Sequence, residues 1–435
     1  MPKKSLIITG VFAALILVLG IQAVVRLASK RETLGQPALG LNERATPADR
    51  QIGAAQGVIE RAPKSSGGYN LLAAAYMQKA RETADSSYYA RTEAVLKRSL
   101  EIEPDNHAAI RIHSYLLLAY HRFGEGLELA RRSVQQDPRD YEAYGALVDA
   151  LVELGKYEEA KQAVQAMLDV RPYTASYARA SYLRSLYGDT EGAIEAMRLA
   201  VQSANPADPE SIAWCLVYLG TELTNAGRLE EAEREYDRAL FSFPDYHLAL
   251  AAKARARFAA GDTDKAIEFY KRAQERVPSP DTVIALGDLY AKLGRADEAK
   301  QQYALVEYIE RTSAASGTYS HQLALFYADH GIKLDDALAI ARRDREARSD
   351  IFTCDALAWC LYKKGEFAEA KVAIDEALRL GTRDALINYH AGMIYKALGK
   401  RQNAAKHLQL ALKINPTFDI LQAELARQAL RSMTA

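Results

Sequence analysis

In DALAWCLYKKGEFAEAKVAIDEALRLG, residues 355 to 381, a glycine, Gly365, stands five residues ahead of an alanine, Ala370. The same pair recurs as Gly155 and Ala160, Gly188 and Ala193, Gly227 and Ala232, Gly261 and Ala266, Gly294 and Ala299, and Gly399 and Ala404. Gly331 and Ala337 form the pair with one extra residue between them. Successive alanines lie 33, 39, 34, 33, 38, 33 and 34 residues apart. A period near 34 marks an array of small units, each burying its apolar face against the next.

Each part of the unit has a physical reason. A glycine suits the left-handed backbone that closes a helix and satisfies its last carbonyls. Acids and Thr follow it in GKYEEA, GRLEEA, GDTDKA and GRADEA, as suits a helix N-terminus with its free N–H groups. The alanine marks a close crossing of two helices. Four residues on, a bulky side chain shares its face: Val164, Met197, Tyr236, Tyr270, Tyr303, Ile374 or Leu408. Pro104, Pro138, Pro172, Pro244, Pro278 and Pro416 close units, because proline stops a helix and turns the chain.

These residues resemble the tetratricopeptide (TPR) repeat. LGDLYAKLGRADEAKQQY carries Leu286, Gly287, Tyr290, Ala299 and Tyr303 at that family's spacing, and Gly392, Tyr395, Ala404, Leu408 and Pro416 repeat the pattern. Two further units precede Gly155. One has Phe123 and Gly126 in the loop and crossing places; the other has a loop lengthened by RETADSS. The expected fold is all-α, about ten helix-turn-helix units over residues 67–416, and the resemblance implies a right-handed superhelix. Residues 47–63 read as a partial repeat helix and 417–435 as a closing helix. The longer stretches SANPADPES and ERTSAASGTYS predict loops on one face. The whole chain is also similar to membrane-associated or exported bacterial TPR proteins.

The N-terminus differs in kind. Leu6 to Val25 carries no charge, and as a helix it is about 30 Å long, the thickness of a bilayer's hydrocarbon core. Residues 1–31 therefore read as a membrane anchor with basic flanks, and residues 32–46 as a tether. Cleavage after Ala23 is the alternative, but Ile21 is large for a signal-peptidase site. Lys3 and Lys4 precede the run, and Arg26, Lys30 and Arg31 follow it, so the positive-inside rule barely orients it. The expectation is a single-pass protein of a bacterial inner membrane with the repeats outside the cytoplasm.

Composition excludes other classes. Lys plus Arg and Asp plus Glu both total 56, without the basic excess of a nucleic-acid binder. Cys215, Cys354 and Cys360 lack metal or disulfide spacing and read as buried small apolar residues. No HExxH, GxSxG, P-loop or GxGxxG occurs. No catalytic residue, metal ligand or cofactor is expected, and an enzyme using the groove is the lesser alternative.

The remaining candidate is a surface. In the quoted unit Cys354, Leu357, Ala358 and Leu361 face the paired helix. Phe352, Asp355, Trp359 and Tyr362 form a second stripe, continued by His321 in the preceding unit and by Tyr389 and Met393 in the following one. The TPR resemblance implies that first helices line a concave groove holding an extended or helical peptide. Those seven residues are the candidate peptide site, with Trp359 as its anchor; the other reading is that they pack against the neighbouring first helix. The paired Lys, Asn and Arg of a chaperone carboxylate clamp are missing, so that partner is excluded. The expected function is a membrane-anchored scaffold that binds a protein or peptide in envelope assembly, secretion or a membrane complex. A soluble exported binding protein is the alternative.

Overall fold

A computed structural model of the chain describes residues 46–314 and 321–434. The expected anchor at residues 6–25 and all of the tether except residue 46 lie outside the described residues. Among the described residues no helix is long and apolar enough to cross a membrane.

The described residues form 22 helices and no strand. After a lone first helix, α1 (Pro47–Arg61), come ten consecutive pairs. The first is α2 (Ser66–Thr83) with α3 (Ser87–Ile102), then α4 (His107–Ala119) with α5 (Phe123–Gln136) and α6 (Tyr141–Glu153) with α7 (Tyr157–Val170). Next are α8 (Thr174–Leu186) with α9 (Thr190–Gln202), α10 (Pro209–Asn225) with α11 (Leu229–Ser242), and α12 (His247–Ala259) with α13 (Thr263–Arg276). The last four are α14 (Pro280–Lys292) with α15 (Ala296–Ala314), α16 (His321–His330) with α17 (Leu334–Ala347), α18 (Ile351–Lys364) with α19 (Phe367–Ala377), and α20 (Ala385–Ala397) with α21 (Arg401–Ile414). The last helix, α22 (Gln422–Thr434), closes the array.

The unit works as its residues dictate. Gly365 sits at φ +83°, and the N–H of Glu366 reaches back to the Leu361 carbonyl at 2.9 Å, which terminates α18. His121 takes the same left-handed place in the second pair at φ +57°, where the sequence offers no glycine. The crossing residues Ala160, Ala193, Ala232, Ala266, Ala370 and Ala404 have no accessible surface. At Gly287 a Cβ would lie 2.6 Å from the Tyr303 ring, so the bulky residue of the second helix needs a glycine on the first. The second helices before Pro104, Pro138, Pro172, Pro244, Pro278 and Pro416 all end two residues ahead of the proline.

Two expectations need correction. The longer stretches do not become loops alone: α10 runs for 17 residues and α15 for 19, so part of the added length extends helices. Nor does each unit touch only its neighbours. The third pair meets the ninth, where the Ser349 N–H donates to the Glu153 carbonyl (2.8 Å) and the Ile351 N–H to the Tyr157 hydroxyl (2.9 Å). Arg348 reaches Glu153 at 3.2 Å and holds Asp344 at 2.9 Å. A Cβ on Gly155 would lie 2.5 Å from the Ser349 carbonyl oxygen. The array is wound tightly enough that one turn rests on the next, and a single core cluster draws on residues from both parts of the chain, Val148 and Leu151 as well as Ile351 and Ile387.

Candidate functional site

The first helices present one residue six positions before each unit's glycine: Tyr182, Arg255, Asp288 and Trp359 among them. Along this inner face two stretches behave differently.

The C-terminal stretch is filled. Trp359 keeps 1% of its surface and donates its indole N–H to Asp329 at 2.7 Å. Its ring stacks on His390 at 4.1 Å and on Tyr362 at 4.8 Å, with Tyr389 tilted beside it at 5.5 Å. His390 donates through Nδ1 to both oxygens of Asp355, each at 2.9 Å. Burial opposes charge on His390, but the charge and hydrogen bond of Asp355 outweigh it, and its pKa is raised. Burial, together with the nearby charge of Asp419, pushes the Asp329 carboxyl up to about 7. Asp288 accepts from Tyr303 (2.8 Å) and from His330 (2.9 Å).

What covers this stretch is the chain's own connection to α22. Phe418 lies 5.4 Å from Tyr389, Ile420 packs in a cluster with Leu286, Leu289 and Tyr290, Lys292 donates to the Ile420 carbonyl at 3.0 Å, and Gln422 donates to Asp329.

The expected peptide site thus divides. Asp355, Trp359 and Tyr389 are buried, so the expectation that they stand open to a partner does not hold: repeat packing and the C-terminal segment enclose them. Phe352, Tyr362, Met393 and His321 are partly buried. His321 accepts from Arg348 at 2.7 Å, and burial and that guanidinium hold its pKa down. Of the second stripe only these four reach the surface at all.

The central stretch is open. Tyr182 and Tyr218 keep 42% and 39% of their surfaces. Tyr218 lies tilted against the partly buried Trp214 at 4.1 Å, and Arg255 and Asp281 are exposed nearby on the following first helices. Burial nonetheless pushes the Tyr182 hydroxyl well above its ordinary range, with Glu153, Asp350, Tyr157 and Tyr218 around it. Tyr182 thus stands between residues of two turns, where one turn of the array faces the next. These neighbours come from the third, fifth and ninth pairs. The sequence analysis did not single out Tyr182, Trp214 or Tyr218, although Tyr182 stands six residues before Gly188 as Trp359 stands six before Gly365.

The cysteines offer no nucleophile. Burial pushes Cys215 and Cys360 up to about 12 and Cys354 to about 11.

Models of the tetratricopeptide repeat match residues 117–181, 219–279, 257–317 and 385–418. Among solved structures, the human IFIT1 dimer with m7Gppp-AAAA is 16% identical over 76% of each chain, with a TM-score of 0.49. A tetratricopeptide repeat protein from Parabacteroides merdae is 21% identical over 60% of this chain and 98% of its own, TM-score 0.34. PilW, a type IV pilus biogenesis factor, is 17% identical over 46% and 92%, TM-score 0.40. No curated protein matches the chain. The repeat models, the paired helices, the crossing alanines and the left-handed glycines agree: the chain is a tetratricopeptide repeat protein.

Proposed function

We propose that this protein is a binding scaffold, not an enzyme, and that it takes a protein or peptide partner into the central part of its lumen. The observation that carries this is the pair Tyr182 and Tyr218, large aromatic side chains left accessible on an inward face between Arg255 and acids of both turns. Tyrosine gives contact area at low entropic cost with a polar tip, which suits a peptide in a half-enclosed channel. The uncharged run Leu6–Val25 supports an anchor that holds the array at a bacterial membrane, with the repeats outside the cytoplasm. There the scaffold serves envelope assembly, secretion or a membrane complex by concentrating its partner near the bilayer. The equal count of basic and acidic residues supports a protein partner over nucleic acid.

The test is crosslinking capture from membranes with the full chain. Tyr182→Ala with Tyr218→Ala should lose a partner that the wild type retains, while the melting temperature stays put. Capture unchanged in the double variant contradicts the central lumen as the site. The full chain should also stay in the membrane pellet through alkaline carbonate; recovery in the supernatant contradicts the anchor.

A further inference from the structure

The C-terminal stretch of the inner face is filled by residues that the array does not need for closure. Helix α22 caps the last pair through Ala426, Ala429 and Met433, which join the core cluster of Leu408 and Ala411. Those contacts are enough to cover the end of a repeat array. Yet the segment before α22, PTFDILQ at 416–422, runs back along the inner face as far as α14, three pairs earlier. It has no helical structure before Gln422.

Its contacts have the layout of a bound peptide. Phe418 lies against the Tyr389 ring, 5.4 Å between centroids. Ile420, two residues on, keeps 8% of its surface in the cluster with Leu286, Leu289 and Tyr290. The main chain is held at the Ile420 carbonyl by Lys292 at 3.0 Å, a contact indifferent to sequence and spanning 128 residues of chain. The Gln422 amide donates to Asp329, which also takes the Trp359 indole N–H. Residues 416–421 run through turns and bends, and they seat two apolar side chains in pockets with the backbone clasped, which is how a short folded peptide is held.

We propose that the inner face from α14 to α20 is a docking site for a short, turn-forming peptide with a Phe-x-Ile side-chain pattern, and that residues 416–422 occupy it in cis as a competitor. This rests on the reading of the inner face as a peptide groove and adds a second site with a resident occupant.

The occupant is imperfect, which makes it displaceable. Asp419 brings a carboxylate towards Asp288 and Asp329. It spends that charge on the N–H groups of Leu421 and Gln422, at 2.8 and 2.7 Å, the start of α22. Burial and the neighbouring acid raise the pKa of Asp419, the mark of an acid in an unfavourable place. A partner with a neutral amide between the same two apolar side chains avoids that repulsion and binds tighter than the chain's own sequence.

The experiment uses the full chain and two dye-labelled synthetic peptides, PTFDILQ and PTFNILQ, read by fluorescence anisotropy. Phe418→Ala with Ile420→Ser frees the groove. The double variant should bind both peptides at least tenfold tighter than the wild type, and the asparagine peptide tighter than the aspartate one. Gln422→Ala, which weakens only the occupant and leaves the groove's residues in place, should show a smaller rise in the same direction; it keeps the test valid should circular dichroism show the double variant unfolded. Equal binding to wild type and freed variants leaves a peptide site and overturns the competitor. No binding of either peptide to folded freed variants overturns the docking site itself, without touching the central lumen, whose partner is assayed separately through Tyr182 and Tyr218.

Discussion

The inner face is built from one repeated unit, yet its two stretches have opposite character. From α8 to α12 it offers Tyr182 and Tyr218, each more than a third exposed, with Arg255 exposed nearby. From α14 to α20 the inner face holds Trp359, in the register of Tyr182, and Tyr389, each 1% exposed, under Phe418 and Ile420. Repeat position therefore does not decide whether a side chain binds or packs. What decides is whether another part of the chain comes to cover it. The comparison also separates two kinds of aromatic residue that the sequence alone presents alike.

The largest effect should fall on Trp359. Its replacement by alanine empties a packed site and leaves the partly protonated Asp329 without its indole donor, at a cost of about 3–5 kcal/mol by chemical denaturation. Hydrogen exchange should show the loss from α16 to α22. A variant as stable as wild type breaks the comparison, since it means Trp359 was never enclosed.

Next comes the contact between turns. Gly155 is held at φ +67° with the Ser349 carbonyl against it, whereas Gly261, at φ +83°, has open space around it. Gly155→Ala should cost about 3 kcal/mol, left-handed strain plus a main-chain clash, and raise exchange around residues 345–351. Gly261→Ala should cost only the strain, about 1–2 kcal/mol, and change nothing outside its own units. Equal costs would mean that the turns do not rest on one another.

The repeat itself was legible because its signals are local: Gly365, Ala370 and Pro416 act within one hairpin or one turn of chain. The second correction, turn resting on turn, was not legible. No pattern links Glu153 to Arg348 across almost two hundred residues, since the pitch of a superhelix sums many small rotations between units. The candidate site failed for a related reason. The segment that covers the second stripe lies beyond the last repeat, and Phe418 and Ile420 carry no repeat signature. Tyr182 was legible in principle, since it stands six residues before Gly188 as Trp359 stands six before Gly365.

A smaller effect is expected from pH. The Asp329 carboxyl titrates near 7 in the fold and near 3.9 when unfolded, so between those values the folded state holds more protons. Stability from this group is then fullest at acid pH and falls as pH rises through that window, levelling off above 7. His330 and His390, both raised, act in the same sense as pH climbs past their folded values. Asp329→Asn keeps an acceptor for Trp359 and removes the titrating proton. It should raise the melting temperature at pH 8 and flatten its dependence between pH 6 and 8. A steeper dependence in the variant contradicts the account of this cluster.

The smallest effect on stability should be at Tyr182. Its replacement by alanine should change unfolding free energy by no more than about 0.5 kcal/mol, as for other accessible side chains. A loss comparable to that at Trp359 would make the two stretches alike.

The chain's two tryptophans report one stretch each. Single-tryptophan variants, Trp214→Phe and Trp359→Phe in the full chain, allow acrylamide quenching of each indole alone. With only Trp359 left, emission should be blue-shifted and nearly unquenched, because the C-terminal segment and the neighbouring repeats shut the quencher out. With only Trp214 left, quenching should be several-fold stronger, through the open lumen. Equal quenching of the two, in folded variants, would contradict the division of the inner face into an open and a filled stretch.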